Sequence, residues 1–113
     1  MAIERFAAID IGSYNVCMEI FELSKKNGLN SVNQLRQRLE LGTDTYQDKK
    51  LSRDKIEKLC RILLDFKMVM DEYKVTDYRA CAKSAFREAK NMVVVLDLIY
   101  QRTGIKVDVL SNS

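Results

Sequence analysis

The chain has 113 residues, 47% of them apolar, and its 19 basic and 16 acidic side chains leave a net charge of +3. That is enough apolar material for one folded domain, and the basic surplus is too small and dispersed to argue for nucleic acid. Histidine is absent, which removes Ser-His-Asp and Cys-His catalysis and His-based metal sites.

Phe6 to Ile11 is a short, nearly continuous apolar run and predicts a strand buried on both faces. Gly12-Ser13 breaks it. Val16 to Leu23 predicts a second strand, with Val16, Met18 and Ile20 on one face and Cys17, Phe21 and Leu23 on the other. "SKKNG" (24 to 28) supplies a hairpin turn through Asn27-Gly28. A third strand is expected over about Ser31 to Leu41, alternating Leu35, Leu39 and Leu41 with polar neighbours, with Gly42 ending it and a polar loop over 43 to 50.

Ser52 can cap a helix running to about Tyr73, with Ile56, Leu59, Leu63, Phe66, Met70 and Tyr73 as its apolar stripe. Val75 to about Lys83 predicts a fourth strand. Ser84 then opens a second helix with Ala85, Ala89, Met92, Val93, Leu96, Ile99 and Tyr100 on its inner face, and Gly104 stands where a C-cap belongs. Ile105 to Leu110 alternates as a fifth strand. The order β-β-β-α-β-α-β is that of a ribonuclease-H-like α/β lobe with a mixed five-stranded sheet, strands four and five parallel to the first. A sheet of this kind normally has both faces covered, so a single domain over 1–113, cut after the last strand, is expected.

Cys17, Cys60 and Cys81 are odd in number and lack CxxC spacing. They predict free, half-buried thiols in a reducing cytoplasm. No run of about 18 apolar residues suits a membrane helix, and "MAIERFAAI" has no signal-peptide apolar region.

The chemistry concentrates in "AAIDIGSYN" (7 to 15). In α/β sheets ligands sit beyond the carboxyl ends of parallel strands, where Asp10 is expected. Gly12 lets a ligand approach the backbone, Ser13 and Asn15 add donors for phosphate oxygens, and Asp10 could hold a divalent cation. The same residues also suit a hairpin turn with Asp10 paired to a backbone amide. In "DYRACAKSAFREAKN" (77 to 91), small residues join strand to helix and Arg87 is expected on the first helical turn, where it could pair with phosphate or with Glu88 or Asp77.

Together "AAIDIGSYN", the helix from Ser52, "YRACAKSAFREAKN" and "GIKVDVLSNS" resemble the N-terminal lobe of the exopolyphosphatase/guanosine pentaphosphate phosphohydrolase (Ppx/GppA) family, of the actin-like ATPase superfamily. Its first motif commonly reads D-I-G-S-N-S and its second A-T-S-A-x-R-x-A-x-N. Asp10, Gly12, Ser13, Arg87 and Asn91 match, and Ser84, Ala85 and Ala89 keep the small-residue frame. The departures are Tyr14, Asn15, Cys17 and Lys83, where Asn, Ser, Arg and Thr are usual.

The resemblance implies removal of terminal phosphate from polyphosphate or guanosine pentaphosphate, with magnesium or another divalent cation and a glutamate-activated water. It assigns Gly12, Ser13, Tyr14, Asn15 and Arg87 to phosphate and Asp10 to the metal. Arg79, Lys83 and Lys90 could guide a polyanion. The glutamate is expected beyond Ser113 and the second phosphate loop in another lobe, so these residues alone are expected to be inactive. A homodimeric parent and self-association of the fragment are further expectations, with no nucleic-acid or membrane partner. The alternatives are a non-catalytic binder of polyphosphate or guanosine penta- or tetraphosphate, and an ATP-dependent kinase-like lobe, which shares the D-x-G turn without "SAFREAKN".

Overall fold

The structure is a computed structural model that describes residues 3–111. The end of "GIKVDVLSNS" (112–113) and the first two residues of "MAIERFAAI" lie outside the described residues. Strands β1 (Glu4–Ile11), β2 (Asn15–Ser24) and β3 (Gly28–Arg38) are followed by helices α1 (Leu41–Asp48) and α2 (Arg53–Glu72). Then come β4 (Asp77–Ala82), α3 (Ser84–Arg87), α4 (Met92–Thr103) and β5 (Val107–Val109). The sheet order is β3-β2-β1-β4-β5. The β1–β2 and β2–β3 pairs are antiparallel, and β4 is parallel to both β1 and β5, as the α/β reading requires.

One face of the sheet carries the core. Ala7, Ile9 and Ile11 of β1, Val16, Met18 and Ile20 of β2, and Ala80 and Ala82 of β4 are all buried. They meet Leu59, Leu63, Phe66 and Met70 of α2 and Val95 and Ile99 of α4 in one apolar cluster. The other face is open, so β1 is buried on one side rather than two. Phe6, Ala8 and Asp10 point there beside Cys17, Glu19 and Phe21 of β2, their register partners. Phe6 and Phe21 stack at 5.7 Å between centroids. The thinnest dimension, 21 Å, is what one sheet and one helix layer occupy.

α2 follows its prediction closely. The Ser52 hydroxyl accepts the Lys55 N–H at 3.3 Å as N-cap. At its end Val75 N–H donates to Met70 O and Lys74 N–H to Asp71 O, closing a Schellman turn with Lys74 at φ 56°.

Three further expectations are corrected. β3 spans Gly28–Arg38, so Leu39 and Leu41 lie past its end and Gly42 falls within α1. The expected loop over 43 to 50 is mostly helical, because α1 is held by contacts that no apolar stripe announces. Thr45 Oγ1 donates to Ala85 O at 2.7 Å, and Gly42 N–H donates to Ser13 O at 2.8 Å. The second helix, expected as one piece from Ser84, is broken after a single turn. Lys90 N–H donates to Lys49 O, and the Asn91 side chain pairs with both backbone groups of Leu51 at 3.0 Å. The helical phase restarts at Met92, so Val95, Ile99 and Thr103 are buried while Val93 and Tyr100 of the expected stripe are exposed.

Candidate functional site

Ile11, Ala82 and Val109, the last residues of the three parallel strands, share one register row. The turn after β1 and the turn after β4 therefore open on one edge of the sheet. β3 ends at that edge too, because Arg38 pairs with Asn15.

The first turn is tight. Gly12 N–H donates to Asn15 O at 2.9 Å, and a Cβ at Gly12 would stand 3.2 Å from that oxygen. Gly12 thus spends its own N–H on the turn. The Ser13 and Tyr14 N–H groups make no hydrogen bond among the described residues. Their carbonyls anchor the chain after β3, Tyr14 O accepting from Leu39 N–H and Ser13 O from Gly42 N–H. Gly42 is required there. A Cβ at this position would lie 2.9 Å from Ser13 Cβ and 3.0 Å from the Tyr46 ring.

Asp10 lies on the open face, flanked in register by Cys17 and Cys81. Its carboxylate is half exposed and pairs with Lys83 Nζ at 3.3 Å, not with a backbone amide. Magnesium usually binds one or two carboxylates and completes its shell with water and phosphate oxygens, so one accessible aspartate fits it. Among the described residues no group of three or more His, Cys, Asp or Glu side chains gathers into a preformed metal cage.

The structure unites some predicted site residues and separates others. Ser13 Oγ lies 3.4 Å from Ser84 Oγ, so the two turns meet. Tyr14 is exposed at the rim. Asn15 is already the first residue of β2. Arg87 ends the single turn of α3, where its guanidinium donates to Leu110 O at 2.9 Å, past the exit of β5. It makes neither of the pairs with Glu88 or Asp77 weighed above. Asn91, a motif residue, braces Leu51. Of the thiols expected to be half-buried, Cys17 and Cys81 are, but Cys60 is fully buried and burial pushes its thiol pKa up. Tyr46 escaped sequence reading altogether. Its phenol oxygen stands 2.6 Å from Ser84 Oγ and 3.1 Å from Ser13 Oγ.

A mixed sheet of this order, with an aspartate at the carboxyl end of its first strand and a tight Gly-Ser turn after it, defines a ribonuclease-H-like α/β lobe. The Ppx/GppA phosphatase family model matches residues 20–113. The chain belongs to that family. The matched span begins after the first turn. The structure superposes on the crystal structure of the Aquifex aeolicus Ppx/GppA family member with a TM-score of 0.92 at 33% identity, covering 98% of this chain and 36% of that one. An exopolyphosphatase from Cytophaga hutchinsonii matches at TM-score 0.88 and 21% identity, covering 95% of this chain and 34% of that one, a likeness of fold. A bifunctional 3-dehydroquinate synthase/phosphatase of Fusobacterium nucleatum is 27% identical over 112 residues, 94% of this chain and 17% of that protein. The chain thus spans about a third or less of the length of these relatives.

Proposed function

We propose that residues 1–113 are one lobe of a larger phosphoanhydride hydrolase that releases terminal phosphate from inorganic polyphosphate or guanosine pentaphosphate. The observation that carries this reading is the placement of Asp10 and the Ser13–Tyr14 amides on the carboxyl edge of the parallel strands, in a chain of the Ppx/GppA phosphatase family.

The free amides of Ser13 and Tyr14 and the Ser13 hydroxyl bind a phosphoryl group without adding charge, while Gly12 and Asn15 hold the turn. Lys83 and Arg87 offset anionic charge at the same edge. Arg87 does so by exchanging the Leu110 carbonyl for a phosphate oxygen, the stronger partner for a guanidinium. Asp10 is the residue that would hold a magnesium ion, whose chemistry is charge neutralisation of the phosphates. A glutamate outside these residues activates the water, and transfer depends mainly on positioning and charge, for which no histidine is needed.

A second reading has its own observation. Lys83 Nζ lies 3.3 Å from one oxygen of the Asp10 carboxylate and competes there with a cation, which suits a protein that binds polyphosphate or guanosine penta- or tetraphosphate without turnover. Phosphate release by the full-length protein, from polyphosphate and from guanosine pentaphosphate, with and without magnesium, separates the two. A hydrolase gives metal-dependent release from at least one substrate. Tight binding with no release leaves the sensor.

A further inference from the structure

Three hydroxyls from three separate segments meet at the first turn. Tyr46 Oη lies 2.6 Å from Ser84 Oγ and 3.1 Å from Ser13 Oγ, and the serine oxygens are 3.4 Å apart. Each hydroxyl has one proton to donate and can also accept, so Tyr46 Oη bridges the two serines and the long 3.4 Å serine contact closes the ring only loosely. The serine protons rotate and the phenol proton flips within its ring plane, so the ring can open and offer donors to a ligand. Tyr46 remains 42% exposed despite both contacts. The backbone beneath is fixed by the Gly42–Ser13 and Thr45–Ala85 bonds, which lock α1 against both turns.

We propose that Ser13, Tyr46 and Ser84 form a phosphoryl-oxygen subsite in which Tyr46 is a specificity-determining residue. The proposal rests on the phosphoanhydride reading of this edge. When a phosphoryl group arrives, the ring opens and its O–H groups donate to the anionic oxygens. The Tyr46 phenol extends the donor set beyond the first turn and sets how deeply a terminal phosphate enters. Without ligand the ring keeps the serines aligned.

The test uses the full-length protein and its Tyr46→Phe variant, with tripolyphosphate and inorganic phosphate as probes. Calorimetry gives affinity, and near-ultraviolet difference absorbance reports the phenol directly. The variant is expected to bind tripolyphosphate about tenfold or more weakly, the loss typical of one hydrogen bond to a charged group. The parent's tyrosine difference signal on ligand addition should shrink in Tyr46→Phe to what Tyr14, at the rim of the same turn, contributes, while the far-ultraviolet circular dichroism stays the same. Ser84→Ala, which keeps the phenol, should weaken binding but retain part of that signal.

Unchanged affinity in Tyr46→Phe overturns the subsite. So does weaker binding with the tyrosine signal intact, since that marks a mere tether of α1. If Tyr46→Phe does not fold, Ser84→Ala decides: weaker binding with a reduced tyrosine signal supports the subsite, and unchanged affinity or an undiminished signal overturns it. A parent that binds through Tyr46 but releases no phosphate keeps the subsite and refutes the hydrolase. A parent that hydrolyses with an unaltered KM in Tyr46→Phe refutes the subsite alone.

Discussion

Asp10 and Asp44 show how differently one side-chain type can be used in a small fold. Asp10 is half exposed and its carboxylate pairs with Lys83, an arrangement suited to exchange for a ligand or metal. Asp44 is built in. Its carboxylate accepts the Ser52 N–H at 3.0 Å and lies 3.4 Å from Lys55 Nζ, which ties α1 to the start of α2. Burial pushes its pKa up, but the Ser52 hydrogen bonds and the Lys55 charge prevail and hold it below the ordinary value of 3.8. A carboxyl depressed in the folded state stabilises the fold above its unfolded pKa, and this contribution is lost as pH falls through the folded value. Asp44→Asn should therefore be less stable than the parent at pH 7. The gap should narrow steadily below about pH 4 in urea unfolding measured against pH. A gap independent of pH would mean the carboxylate charge contributes nothing.

At the scale of elements, residues whose neighbours are local were legible in the sequence. The cap at Ser52, the α2 stripe, the Asn27-Gly28 turn and the Gly104 C-cap all appear where periodicity and turn chemistry put them. α1 and the break after α3 were not, because their causes are distant in sequence. Thr45 finds Ala85, Gly42 finds Ser13, and Asn91 finds Leu51, at separations of 29 to 40 or so residues. For the same reason the site was half legible: the first turn is a local motif, but Tyr46 reaches it only through α1. The end of α2 makes a clean test of local chemistry. Lys74 holds φ 56°, a conformation that suits glycine better. Its N–H and that of Val75 carry the Schellman bonds, and neither depends on the side chain. Lys74→Gly should raise stability by about 0.5–1 kcal/mol in denaturant unfolding. A loss of stability would show that the lysine side chain contributes more than its backbone strain costs.

For the whole molecule, topology ranks the strands. β1 is paired on both sides and buried on its inner face, whereas β3 and the three-residue β5 lie at the edges. Amide exchange should be slowest in β1 and fastest in β5 and along the free edge of β3; equal protection across the sheet would contradict this ranking. The same topology brings the turns after β1 and β4 to one edge and leaves the Asp10 face open beside them. Asp10 itself is therefore the residue to change first. In the full-length protein, phosphate release from polyphosphate should fall by about a hundredfold or more in Asp10→Asn with the fold intact, the scale on which loss of one charge-stabilising group acts. Release at the parental rate, with the same dependence on magnesium, would contradict a phosphate and metal site at this edge.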